Sequence, residues 1–183
     1  MIKITKKNKL EVGQVFAVKI AHIDKWTIAQ ICCLPETDGY YAIGIGLFDV
    51  IEASLQSVQF NLDTYNLEKP IIVGTFDVNP KKDWTLIGSK HVCYKNFDLE
   101  KSITGTWGWI NNTESGFWGI LEIYFGVYPW DLFVGKSSIE NKIIGERPSN
   151  IRLLKGFDLT EITNLGLLGT IKHANRLDEL NEK

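Results

Sequence analysis

Short hydrophobic runs separated by polar, turn-forming segments mark the first third of the chain, which is the pattern of β-strands. The runs lie at residues 15–20, 26–33 and 40–48, with turn-like segments at 22–25 and 35–39. The second turn has Pro and Asp early and Gly late, an order typical of hairpin loops. The three runs therefore predict a three-stranded antiparallel meander.

More extended runs follow the meander. In the last of them, apolar Leu121, Ile123 and Phe125 alternate with Glu122, Tyr124 and Gly126, and a period of two residues predicts a strand. Residues 49–57 are open to two interpretations, a short helix or the approach to a strand through Val58 and Phe60. The additional predicted strands are residues 71–76, 84–87, 91–94 and 120–128.

Helical signals are concentrated near the end of the chain. Asp158 is placed to cap a short helix, with Glu161 three residues later as in a capping box. Gly166 and Gly169 are predicted to end that helix. Apolar residues then recur near helical spacing, which predicts a terminal helix over residues 171–180.

These elements predict one mainly β domain, a β-dominated α+β fold over residues 1–183. We expect a strongly curved antiparallel sheet or small barrel with one or two C-terminal helices. No Pro-, Ser- or Gly-rich linker interrupts the chain, and 183 residues with 44% hydrophobic content suffice for one core.

Composition bears on the compartment. No apolar run approaches the roughly 20 residues of a membrane helix, and the basic segment 1–9 is not followed by the apolar core of a signal peptide. The three cysteines, Cys32, Cys33 and Cys93, are too few and odd in number for a disulfide framework. The expected location is the cytoplasm, without membrane contact.

Charge is distributed unevenly. Residues 1–35 have a net charge of +4, residues 36–131 of −7 and residues 132–183 of +1. Nucleic-acid binding needs clustered Lys and Arg, so the acidic middle argues against it. The same segment is compatible with a partner protein that has a basic surface.

Signals for metal and nucleotide sites are weak. His91 and Cys93 stand two residues apart and share a strand face, but a structural zinc site needs four such ligands. Gly44 and Gly46 lie inside a strand-like run, where glycine typically permits a bend, and no third Gly and helix follow. The sequence therefore predicts neither cofactor nor metal.

One pair of carboxylates keeps an enzymatic alternative open. The pentad G-x-F-D-V occurs at residues 46–50 and again at 74–78, which places Asp49 and Asp77 at similar strand exits. Two carboxylates that converge in a cleft can perform general acid–base catalysis, as in a hydrolase. Asp at a strand exit is more often a turn former, so the sequence favours binding over catalysis.

The most unusual feature is aromatic. Nine of the 27 residues from 107 to 133 are aromatic, against 11% of the whole chain. Most are expected in the core, but residues 111–116 form a polar insert, and aromatics flanking such a loop are suited to be interface hot spots. Exposed Trp side chains would also suit a carbohydrate-binding module, which is a second alternative.

Several segments resemble one known family. The strand segments GQVFAVKI (13–20), IAQI (28–31) and YAIGI (41–45), with KDWTLIG (82–88), are similar to the immunity protein 26 family of bacterial polymorphic toxin systems. The resemblance covers residues 8–135, with 136–183 as a C-terminal extension. The family's pattern has Asp where this chain has Gln14.

The resemblance implies a role in binding and neutralising a cognate bacterial toxin, by steric or electrostatic blocking. It carries no catalytic motif, so it implies no active-site residue. Aromatic side chains would supply most of the binding energy and acidic ones would accelerate association. The predicted partner-binding residues are Asp77, Asp83, Asp98, Glu100, Trp107, Trp109, Phe117 and Trp118.

Overall fold

Five antiparallel strands form one sheet at the centre of the molecule, in the order β4-β3-β2-β1-β5. The computed structural model describes residues 10–34, 43–76, 80, 84–93, 114–133, 139–141, 143–144 and 147–180. The strands are β1 (Gln14–Ile20), β2 (Lys25–Cys33), β3 (Ile43–Leu47), β4 (Ile72–Phe76) and β5 (Thr85–Ser89).

The predicted meander is confirmed. Strands β1, β2 and β3 pair in sequence, each antiparallel to the next. A short 3-10 turn, Ala21–Ile23, joins β1 to β2 and ends at Asp24, whose positive φ of 51° is a conformation that Asp tolerates. A register shift between Ile31 and Cys33 leaves Cys32 as the extra residue of a bulge.

One face of the sheet is covered by helix α2 (Glu114–Tyr124) and by the C-terminal segment. Side chains two residues apart on a strand share a face, so Phe16, Val18 and Ile20 of β1 all point to this side. They pack with Phe117 and neighbouring apolar residues of α2 in the larger of two hydrophobic clusters. Most of the core lies on this side of the sheet.

The opposite face is covered by residues 48–67, which include helix α1 (Leu55–Phe60) and a 3-10 turn, Leu62–Thr64. Val15, Ala17 and Ile28 point to this side and form the second cluster with Phe48, Val58 and Leu67. Because both faces are covered, the central strands are buried on both sides, which explains why β1 and β2 read as nearly continuous apolar runs.

The strand predicted over residues 120–128 is wrong. Residues 114–124 form α2, and its inward positions Phe117, Leu121 and Tyr124 follow helical spacing. Residues 120–125 of the sequence are buried on nearly every side of the helix. Apolar residues therefore occur at more positions than one helical face would require, and some of them fall two residues apart, as in a strand. The strand predicted over 91–94 is also absent from its described part, residues 91–93.

Helix α3 (Leu159–Asn164) has Asp158 as its N-cap and contains the predicted capping box. Gly166, with a φ of 70°, follows its end as predicted, whereas Gly169 lies inside α4 (Leu168–His173) and does not end a helix. The terminal helix predicted over 171–180 is therefore misplaced. Asn175 turns left-handed with a φ of 54°, and the described residues after it form a 3-10 turn, Leu177–Glu179.

The fold class is β-rich α+β, as predicted. The two outer strands, β4 and β5, do not pair with each other, so the described sheet is open and is not a barrel. Short helices α3 and α4 account for the predicted C-terminal helices. Within the described ranges, no helix combines the length and apolarity needed to cross a membrane.

Arg176 connects the C-terminal segment to the loop after α2. Its guanidinium, with a side chain 10% exposed, donates to Asp131 Oδ2 at 2.8 Å and to both Glu179 oxygens at 2.6 and 2.7 Å. Asp131 Oδ1 also accepts from the Leu154 amide at 2.7 Å. These charge-assisted contacts hold three separate segments together.

Replacing Glu179 with glutamine tests how much this network contributes to the free energy of unfolding. The hydrogen bond from Arg176 lowers the pKa of Glu179 below its ordinary value. A carboxylate with a lowered folded-state pKa stabilises the fold above its unfolded pKa, and the contribution is lost as the pH falls through the folded value. Urea denaturation should therefore show a stability gap between wild type and variant that shrinks as the pH falls from about 7 to about 3. A gap that is constant with pH would contradict the assignment.

Candidate partner-binding surface

Most of the sequence-predicted contact residues lie outside the part of the chain that the structure describes. Of the eight, only Phe117 and Trp118 are within it. The prediction for the others is neither supported nor opposed by the structure. The six predicted contact residues outside the described ranges are Asp77, Asp83, Asp98, Glu100, Trp107 and Trp109.

Phe117 lies in the core. Its side chain is fully buried, 4.9 Å from the ring of Trp84 and 5.3 Å from that of Trp118, measured between ring centroids. In this conformation the ring of Phe117 offers a partner no surface, so a contact through it would require displacement of α2. Trp118 is half-buried and packs against the same cluster.

The described tryptophans offer no exposed platform for a sugar. Trp84 and Trp130 are 7% and 2% exposed, and Trp26 and Trp118 are half-buried. The segment predicted as a polar insert, residues 111–116, is helical from Glu114 onward, and its earlier residues lie outside the described ranges. The carbohydrate-binding alternative therefore gains no support from the described tryptophans.

Of the two carboxylates in the enzymatic alternative, Asp49 and Asp77, the structure describes only Asp49. Asp49 is exposed and lies beside Tyr124, where burial and the Asp49 charge raise the tyrosine pKa to about 12. Asp77 lies outside the described residues. Strands β3 and β4 are antiparallel, with Leu47 opposite Ile72 and Ile43 opposite Phe76, so the chain leaves them at opposite ends of the pair.

The most exposed large apolar side chain of the described residues is Phe60, at 89%. It is the last residue of helix α1, whose N-cap is Ser54. The Ser54 hydroxyl accepts from the Ser57 amide at 3.1 Å. Val58 is the buried residue that faces the sheet. Phe60 follows it by two residues, about 200° around the helix, so its ring points away from the core.

Neighbouring contacts fix the position of α1 against the sheet. Glu52 pairs through its backbone with Trp26 of β2, and its Oε1 accepts from Asn61 Nδ2 at 3.1 Å and from the Tyr65 hydroxyl at 2.9 Å. Burial and the bond to Glu52 raise the pKa of Tyr65 to about 12. Because Asn61 follows Phe60 directly, this contact links the segment of Glu52 to the end of α1. Ile51, which precedes Glu52, is exposed.

We call this exposed area the Phe60 surface. Its members project outward from α1 and from the segments on either side of it. Gln56 and Phe60 stand four residues apart on one side of the helix, and Asp63 follows in the next turn. The Phe60 surface comprises Ile51, Gln56, Gln59, Phe60 and Asp63.

An open cleft of about 330 Å³ adjoins the Phe60 surface. One wall comes from residues 62–68 and the other from residues 90–93, which follow β5. His91 and Cys93 line the cleft together with two acids. No three His, Cys, Asp or Glu side chains are grouped to hold a metal in the described ranges. The residues lining the cleft are Leu62, Asp63, Tyr65, Asn66, Leu67, Glu68, Lys90, His91 and Cys93.

Packing places one wall of the cleft against β5, and hydrogen bonds fix the start of the other wall to the neighbouring strands. A Cβ on Gly88 would lie 2.6 Å from Leu62 Cδ2, so Leu62 fits against the bare backbone of β5. Buried Gln30 donates from Nε2 to the Lys90 carbonyl at 2.8 Å, and the Lys90 amide donates to the Gly13 carbonyl at 2.9 Å. The cleft is therefore formed in the free protein.

Residues 48–68, which build the Phe60 surface and one cleft wall, are acidic. They contain four acidic residues and neither Lys nor Arg. Lys90, on the opposite wall, forms an ion pair with Asp63, whose side chain is 85% exposed. The four acidic residues of the segment are Asp49, Glu52, Asp63 and Glu68.

Another polar cluster lies on the side of the sheet that α2 covers, away from the Phe60 surface. Glu122 of α2 is 3% exposed, and its Oε1 lies 3.0 Å from Nδ1 of the half-exposed His22. The ring of Tyr128 stands 5.5 Å from that of His22, and burial together with the Glu122 charge raises the tyrosine pKa. The cluster ties the β1–β2 turn to the end of α2.

Sequence reasoning missed both Phe60 and the His22–Glu122 pair. The signal for Phe60 was the spacing of Leu55 and Val58, which marks the inward side of a helix and leaves residue 60 outside. Nothing in the sequence signalled the histidine–carboxylate pair, because its members are 100 residues apart.

Comparisons with protein-family models, with curated proteins and with solved structures give no match for this chain.

Proposed function

We propose that this chain is an immunity protein that binds a cognate bacterial toxin domain and neutralises it by covering its active site or substrate path. The observation that carries the proposal is the 89% exposed ring of Phe60 on the outward side of α1. Burying an aromatic ring of this size contributes strongly to an interface, and aromatic residues are enriched among hot spots. The function is binding, and the partner acts in the cytoplasm.

The resemblance to the immunity protein 26 family supports the toxin as the class of partner. Its segments at residues 13–20, 28–31 and 41–45 fall largely on strands β1, β2 and β3. These strands are buried, so the resemblance describes the core of the fold and not the residues that would contact a toxin. The surface that selects one toxin is built by residues 48–68, on top of that scaffold.

The shape of the Phe60 surface suggests how neutralisation works. Phe60 fits an apolar pocket on the toxin, while Gln56 and Gln59 beside it hydrogen-bond at the rim. Exposed Asp63 on this surface and Glu68 in the adjoining cleft attract a basic toxin face and accelerate association. A standard interface buries about 1,600 Å² in total, so the contact extends beyond these residues on the same side of the molecule.

Co-expression tests the proposal. The toxin domain encoded beside the gene for this chain is expressed in a bacterial host with and without the full-length chain. Growth arrest by the toxin alone and recovery with the chain is the expected result. Continued arrest, at toxin and chain levels verified by immunoblot, together with no complex on gel filtration, would overturn the proposal.

A further inference from the structure

We propose that the cleft beside Phe60 receives a lysine or arginine side chain of the toxin. This inference rests on the proposed function and names the chemistry of the partner at that surface. The cleft is lined by the apolar side chains of Leu62 and Leu67 and by the carboxylates of Asp63 and Glu68. Long basic side chains have this same division, an apolar stem and a charged end.

The position of the cleft makes it continuous with the Phe60 surface. Asp63 belongs to both, and it stands only three residues after Phe60, within about 11 Å along the chain. A partner that covers the Phe60 ring therefore also covers the mouth of the cleft. One basic residue near the contacting apolar pocket of the toxin is then enough to reach Asp63 and Glu68.

In the free protein, the ammonium of Lys90 lies where the charged end of the toxin side chain would bind. Its ammonium pairs with Asp63 across the cleft. A toxin side chain must compete with Lys90 for that carboxylate, so Lys90 lowers the affinity of the cleft. Because of this competition, removing the charge of Lys90 should strengthen binding of the toxin, although removal of a charged interface residue usually weakens it.

The remaining groups of the cleft fit this assignment. Glu68 is exposed, and its amide donates to Asn66 Oδ1 at 3.0 Å, a local turn at the end of this acidic wall. Tyr65 is held by Glu52 at 2.9 Å, so its ring is a fixed side of the cleft. His91 is the other group beside Lys90 that can be positively charged, and it lies on the same wall.

A small-molecule titration tests the cleft without the toxin. Acetyl-arginine-amide is added to the isotope-labelled full chain and followed by two-dimensional NMR, with acetyl-citrulline-amide as the neutral control of matched shape. Arginine should shift the amides of residues 62–68 and 90–93, and citrulline should not. Equal shifts with both compounds, or shifts confined to other residues, would overturn the assignment.

Three variants complete the titration. Lys90→Met should tighten the arginine probe about twofold to fivefold, the range for one exposed ion pair, and Asp63→Asn and Glu68→Gln should each weaken it similarly. Asp178→Asn, a distant exposed acid, is the matched control and should change nothing. Weaker binding by Lys90→Met would contradict the competition.

The toxin domain itself separates the two proposals. If Lys90→Met tightens toxin binding and Asp63→Asn weakens it, both proposals are supported. If the toxin binds and is neutralised but none of the three variants alters its affinity, the cleft assignment falls and the proposed function stands. If arginine binds in the cleft but the toxin does not bind the chain, the proposed function falls.

Discussion

Replacing Phe60 with alanine is expected to weaken binding of the toxin domain by about 30-fold to 1,000-fold, the effect of removing one aromatic hot spot. The ring is 89% exposed in the free protein, so its loss removes little buried area within the chain. The free energy of unfolding should therefore change by less than about 0.5 kcal/mol. Isothermal titration calorimetry and urea denaturation measure the two quantities.

Phe133→Ala is the matched control for this prediction. Phe133 is also an exposed aromatic, at 40%, but it lies after α2 and is not part of the Phe60 surface. Toxin affinity should be unchanged in this variant. Equal losses in both variants, or no loss in Phe60→Ala, would show that binding does not depend on the Phe60 surface.

Phe117→Ala is expected to lower the free energy of unfolding strongly, whereas Phe60→Ala is expected to leave it nearly unchanged. Its ring is fully buried between Trp84 and Trp118, so truncation leaves a cavity in the main core. Phe-to-Ala changes of this kind cost about 3–5 kcal/mol of unfolding free energy. Urea denaturation of the purified variant measures this loss directly.

The conservative variant Phe117→Leu separates packing from contact with a partner. It keeps most of the buried volume and should cost less than half as much as Phe117→Ala, with toxin affinity unchanged in folded protein. A Phe117→Leu protein that is as stable as wild type but binds the toxin far more weakly would restore the surface role that the sequence suggested.

The three-stranded meander was predictable because its signal is local. Strands β1 and β2 are apolar runs bounded by turn residues, and each pairs with its neighbour in the chain. The capping box of α3 was equally readable, because Asp158 and Glu161 satisfy each other's backbone amides within one turn. Such features need no knowledge of distant residues.

Helix α2 was not predictable by the same reasoning. A helix buried on nearly every side has no clear polar face, so residues 120–125 match a strand period as well as a helical one. The choice is made by tertiary packing, in which Phe117 meets Trp84, 33 residues earlier in the chain. Sequence periodicity alone contains no record of that contact.

The candidate site shows the same limit. Aromatic density drew attention to residues 107–133, but density does not distinguish core from surface, and Phe117 and Trp130 are buried. The exposed ring of Phe60 stands outside that stretch, in residues 48–68, where the other aromatic residues are Phe48 and Tyr65. Its exposure depends on which side of α1 meets the sheet, and that is decided by Val58 and the neighbouring cluster.

Hydrogen–deuterium exchange of the full chain, free and in complex with the toxin domain, tests most directly whether the protein acts by binding through the Phe60 surface. Slower exchange in the complex is expected across residues 51–68, with little change in α3 and α4. A complex that forms and neutralises the toxin while protecting α3 and α4, and leaving residues 51–68 unchanged, would contradict this account.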